Sequence, residues 1–120
     1  MDSNAILVDP FDKTTKKIKV TDHYFYKECK ALLKITGPID VLTLDPENMA
    51  IVDDEGLLKN ADEQRYFKVK EYPQALAGRA VIIGYDEEGE NTDVTYNPDT
   101  IEWMPETHTE DAQITIMRWS

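Results

Sequence analysis

The chain has 120 residues, 41% hydrophobic and 31% charged, and its 13 Lys and Arg against 24 Asp and Glu give a net charge of −11. That length suits one domain burying about two-thirds of the surface its unfolded chain exposes, and the composition is that of a folded chain rather than a disordered one. So acidic a chain is a poor binder of nucleic acid or anionic lipid, both of which need clustered Lys and Arg, and a charged partner is expected to be basic.

The single cysteine, Cys29, allows neither an internal disulfide nor a Cys-based zinc site. Met1-Asp2-Ser3-Asn4-Ala5-Ile6-Leu7-Val8 has no basic residue, and its apolar run stops at Asp9-Pro10, unlike a secretory signal. No apolar run approaches the ~20 residues needed to cross a bilayer. The expected location is cytoplasmic, with no membrane partner.

Ala5-Ile6-Leu7-Val8 reads as a strand, and Lys17-Ile18-Lys19-Val20 alternates as a strand with one wet face does. The turn residues between them predict a hairpin over 5–20. One main helix is predicted over about 22–36, with Phe25, Cys29, Leu32 and Leu33 on one face and Gly37-Pro38 as the stop. Cys29 then points into the core.

Strands are predicted at 39–44 and 49–52 around the turn Asp45-Pro46-Glu47-Asn48, and at 66–70. The most apolar strand, Ala80-Val81-Ile82-Ile83-Gly84-Tyr85, is expected at the centre of a sheet. Two late strands follow at 101–104 and 114–119. These elements make an α+β single domain over 1–120, a mostly antiparallel sheet packed by one main helix.

Charge is unevenly placed. Residues 1–60 carry 8 basic and 11 acidic side chains, whereas residues 61–120 carry 5 and 13. Between Arg79 and Arg118 lie 38 residues with no Lys or Arg and ten acids. Within that stretch Asp86, Glu87, Glu88, Glu90, Asp93, Glu102 and Glu106 are the expected partner-binding acids. Trp119 joins them, because Trp is enriched at interface hot spots. A strand at the C-terminal end would also be open to pairing with a copy of itself.

Catalytic patterns are scarce. His23 and His108 sit in no acid–base or metal pattern, and Ser3 and Ser120 are the only serines. The loop after residue 85 places Asp86, Glu88 and Glu90 alternately, yet Gly89 at its fourth position departs from a calcium-binding loop. Asp53-Asp54-Glu55 is a further acidic cluster, a weak magnesium candidate. No cofactor, metal site or enzymatic activity is expected. The segment Tyr72-Pro73-Gln74-Ala75-Leu76-Ala77-Gly78-Arg79 precedes the central strand, and two readings of it stand. It is a packed connector, or Tyr72, Gln74 and Arg79 bind a small anionic ligand such as a nucleotide.

Leu7-Val8-Asp9-Pro10-Phe11, Val52-Asp53-Asp54-Glu55-Gly56-Leu57, Phe67, Tyr72-Pro73-Gln74 with Leu76-Ala77-Gly78, Ile83-Gly84 and Asp86-Glu87-Glu88-Gly89-Glu90 occur in this order. Together they resemble a family of small proteins of unknown function encoded by bacteriophages, plasmids and the bacteria that carry them. The resemblance covers about residues 5–90, leaves the acidic 91–120 outside it, and brings no catalytic residues with it. It implies a mobile-element accessory protein. With the charge pattern, the leading expectation is a non-catalytic protein that binds and inhibits a basic host protein, a defence or nucleic-acid enzyme. The alternative is a nucleotide-binding protein.

Overall fold

The alternation around residues 5–20 becomes a long antiparallel hairpin. Strand β1 (Asp2–Asp9) pairs with β2 (Thr14–Thr21), from Asp2 opposite Thr21 to Asp9 opposite Thr14. The computed structural model describes residues 2–21, 25–56 and 64–104. The hairpin turn is held by the Asp9 carboxylate, which accepts the N–H of Phe11 at 3.0 Å and of Asp12 at 3.3 Å.

Helix α1 (Phe25–Leu33) is shorter than predicted, and its end corrects the Gly37-Pro38 stop. Lys34 takes the left-handed conformation (φ 59°) and donates its N–H to Ala31 O, while Ile35 donates to Lys30 O. This pair of bonds is a Schellman ending, so the helix ends at Leu33, four residues before the glycine. Cys29 and Leu33 are buried and Leu32 is half-buried, as the stripe predicts. At the other end of α1, the Thr21 N–H (2.9 Å) and hydroxyl both donate to the Glu28 carboxylate. Those bonds hold Glu28 below the usual carboxylate pKa.

Five strands form the larger sheet in the order β2-β1-β7-β4-β3, where β3 is Ile39–Asp45, β4 is Asn48–Asp53 and β7 is Ala80–Tyr85. A short sixth strand, β8 (Asn91–Thr92), pairs with the end of β7. Every pairing is antiparallel. As expected, β7 is central. Val81 and Ile83 face a cluster with Cys29, Leu33 and Ile51 under the helix. Ala80 and Ile82 face the other way.

What covers that other face is a second sheet, which the sequence pattern did not separate from the first. Its order is β6-β5-β9, with β5 Tyr66–Lys68, β6 Leu76–Ala77 and β9 Glu102–Trp103. Phe67, Val69, Leu76 and Ile101 pack onto Ile6, Val8, Val52 and Ile82. Phe67 meets Trp103 edge-on, with ring centroids 6.4 Å apart. The architecture is thus helix, large sheet and small sheet, and the continuous apolar run of β7 follows from cover on both faces. The fold class is α+β, as expected. The predicted strand at 114–119 and both histidines lie outside the described residues.

Burial gives Cys29 a testable property. Burial first, and the neighbouring Glu28 charge second, push its thiol up to about 12. Because the thiolate is the nucleophile, iodoacetamide at neutral pH should label native protein at least ~100-fold more slowly than denatured protein. Comparable rates would place Cys29 outside the core.

Candidate functional site

The acidic loop between β7 and β8 folds around its own first residue. Asp86 donates its N–H to Glu90 O at 3.0 Å, and Gly89 donates to Asp86 O at 3.0 Å. The Asp86 carboxylate accepts the N–H of Glu88 (3.0 Å) and of Glu90 (2.9 Å). One acid of the cluster therefore turns inward and stiffens the loop, as Asp does in tight turns. Glu87, Glu88 and Glu90 are left exposed, and among the described residues no side chain pairs with their carboxylates.

Asp93 also has a structural contact, since its carboxylate accepts the Asn4 N–H at 2.8 Å and ties the chain after β8 to β1. Glu102 sits elsewhere. It lies on β9 opposite Lys68 of β5, and with Lys68 and Lys70 it lines a cavity of about 260 Å³. Glu106 and Trp119 lie outside the described residues. Of the predicted partner-binding set, the structure thus gathers Asp86, Glu87, Glu88 and Glu90 into one tip.

One acid that charge counting missed belongs beside them. The β3–β4 turn reaches the same end of the sheet: Tyr85 donates its N–H to Glu47 O at 2.9 Å and its hydroxyl to Asp45 O at 2.9 Å. Glu47 is exposed there, and Asp45 accepts its N–H at 2.8 Å. The run without Lys or Arg begins after Arg79, so a search along the chain passes over Glu47. Only the β4–β7 register, with Asn48 opposite Gly84, brings it to the loop.

The alternative trio is not assembled. Arg79 donates its Nε–H to Asp9 at 3.3 Å and lies 4.4 Å from the centroid of the Phe11 ring. It thereby clamps the β1–β2 turn through a partly buried ion pair and a cation–π contact. Tyr72 donates its hydroxyl to Thr43 O at 2.8 Å and borders the 260 Å³ cavity. Gln74 lines a different cavity, of about 120 Å³. The connector between them is packed: Ala75, Leu76 and Ala77 are buried, and Gly78 takes φ 80° and donates to Arg65 O at 2.8 Å.

Among the described residues no group of three or more His, Cys, Asp or Glu is placed to hold a metal ion. None of their helices is long and apolar enough to cross a membrane.

Residues 1–104 match the family described as Domain of unknown function (DUF3846), and the chain belongs to that family. The match extends past residue 90 to include β8 and β9. No curated protein and no solved structure matches the chain.

Proposed function

We propose that this member of the DUF3846 family is a non-catalytic binding protein that docks a basic partner protein on the acidic tip formed by Glu47, Glu87, Glu88 and Glu90. The carrying observation is the loop geometry: Asp86 holds the turn from inside while its neighbours point their charges outward, with no cationic partner among the described residues. A stiff loop loses little entropy on binding, and converging like charges steer an oppositely charged surface toward it. In the mobile-element setting implied by the resemblance, the partner would be a host defence or nucleic-acid enzyme. Covering its basic groove would inhibit it. The nucleotide-binding alternative draws on Tyr72, Gln74 and Arg79, which touch three different places, and no observation favours it.

The test is capture of partner from bacterial lysate, followed by kinetics with the captured protein. The triple charge reversal E87K/E88K/E90K should slow association by at least about tenfold, because exposed charges act mainly on the on-rate. Raising the salt through the range where the Debye length falls from about 10 Å toward 3 Å should do the same to the wild type. Association unchanged by both would overturn the reading.

A further inference from the structure

At the far end of the β3–β4 hairpin from the tip, a cavity of about 120 Å³ opens between β3, the outermost strand of the larger sheet, and β6, an outermost strand of the smaller one. Its floor is apolar, with Leu42, Val52 and Leu76. Its rim is acidic, with Asp40 and Asp54 exposed and Asp53 buried. Among the described residues no Lys or Arg lines it. Drug-sized ligands occupy about 300–1,000 Å³, so this volume suits one long side chain rather than a small molecule.

An apolar floor under an anionic rim matches a residue that buries a hydrocarbon stem and keeps its charge at the surface. We propose that this cavity receives the side chain of a lysine or arginine from a protein partner. The stem lies on Leu42, Val52 and Leu76, and the cation meets the carboxylates of Asp40 and Asp54. Side-chain insertion suits this edge better than strand addition, because β3 has already engaged part of its main chain. The Asp40 carboxylate accepts the Val41 N–H at 2.9 Å, and the Tyr72 hydroxyl donates to Thr43 O at 2.8 Å. A strand pairing there would have to displace both.

The site is separate from the tip. Asp40 stands opposite Val52 and Asp45 opposite Asn48, so about five residues of strand, roughly 17 Å, divide the two.

The test is an amide chemical-shift titration of the full chain with the capped tripeptide Gly-Lys-Gly, its norleucine counterpart, and cadaverine. Saturable shifts are expected at Leu42, Asp54, Gln74 and Leu76 with the lysine peptide. The norleucine peptide should bind at least about tenfold more weakly, as should the lysine peptide to the D40N/D54N variant. That variant should keep the wild-type Tm, since both residues are exposed. Equal binding of lysine and norleucine, shifts as large at Glu87, Glu88 and Glu90 as at the cavity, or no saturable shift would each overturn the proposal. Cadaverine binding as tightly as the peptide would move the site to free amines and overturn its assignment to a protein partner. The titration repeated on E87K/E88K/E90K should be unchanged, which keeps failure here distinct from failure at the tip.

Discussion

Replacing Asn48 with alanine should cost about 3 kcal/mol, roughly 10 °C in Tm for a chain of this size. Asn48 is only 2% exposed, yet its amide serves two separate segments. Its Nδ2 donates to both Asp45 carboxylate oxygens (3.0 and 3.1 Å) and to Thr95 Oγ1 (2.8 Å), while its Oδ1 accepts the Thr95 N–H (3.0 Å). Alanine removes every one of these bonds and leaves a carboxylate and a main-chain donor to find water. A net hydrogen bond contributes about 1 kcal/mol, and one to a charged group about 1.5–3 kcal/mol, which sets the figure.

N48D separates charge from shape. It keeps the side chain's size but sets a second carboxylate against Asp45, and like charges raise the pKa of the introduced group. Protonation relieves that repulsion and restores a donor. The loss of stability in N48D should therefore be largest above the carboxylate range and shrink as pH falls toward about 5. Thermal unfolding of wild type, N48A and N48D at neutral and mildly acidic pH decides it. An N48A Tm within about 4 °C of wild type, or an N48D deficit independent of pH, would show that the network adds little.

Asn48 also marks what the sequence could and could not convey. The five main strands of the larger sheet, though not the two-residue β8, were legible from their own patterns, such as alternation in β2 and an unbroken apolar run in β7. The helix face was legible by the same logic, since Cys29 and Leu33 are four apart. Its end was not. Lys34 adopts the left-handed cap although nothing in a lysine announces it, whereas Gly37-Pro38 advertised a stop that the chain had already made.

The separateness of the second sheet was hidden for a different reason. β5 and β9 lie within the strands expected at 66–70 and 101–104, but β6 has only two residues, and because β5 pairs with 76–77 and 102–103 no local period sets the three apart from the larger sheet. At the tip, the charge run was visible but its division of labour was not. Asp86 and Glu87 look alike in sequence, and only the turn sends one carboxylate inward. The contact that Arg79 makes could not be read from the sequence because its counterion is 70 residues away. The pairing of Val8 with Ala80 brings Asp9 beside it.

Gly84 to alanine tests the same junction from the opposite strand, and should cost about 3 kcal/mol. An added Cβ would stand 2.5 Å from Asp93 O, 2.6 Å from Thr92 Oγ1 and 2.9 Å from the Asp93 carbonyl carbon. Real Cβ atoms do not approach backbone that closely, so the chain at 92–94 must move off β7. That shift pulls on the Asp93 bond to Asn4, on the Val94 N–H bond to Asn4 O, and on the Thr95 bond to Asn48. Gly89 provides the contrast. Its Cβ would meet nothing within 4 Å, so G89A carries only the left-handed backbone cost of about 1 kcal/mol at φ 81°.

Hydrogen exchange locates the damage. In G84A the Val94 and Thr95 amides should exchange faster than the loss of global stability alone requires, because the segment that carries them has moved away from their acceptors on Asn4 and Asn48. The loop keeps every acid in this variant, so slower partner association with an unchanged salt slope would show that binding depends on how the charges are held. If Val94 and Thr95 follow the global change instead, the strain spreads along β7 and the acidic tip keeps its shape without the 92–94 crossing.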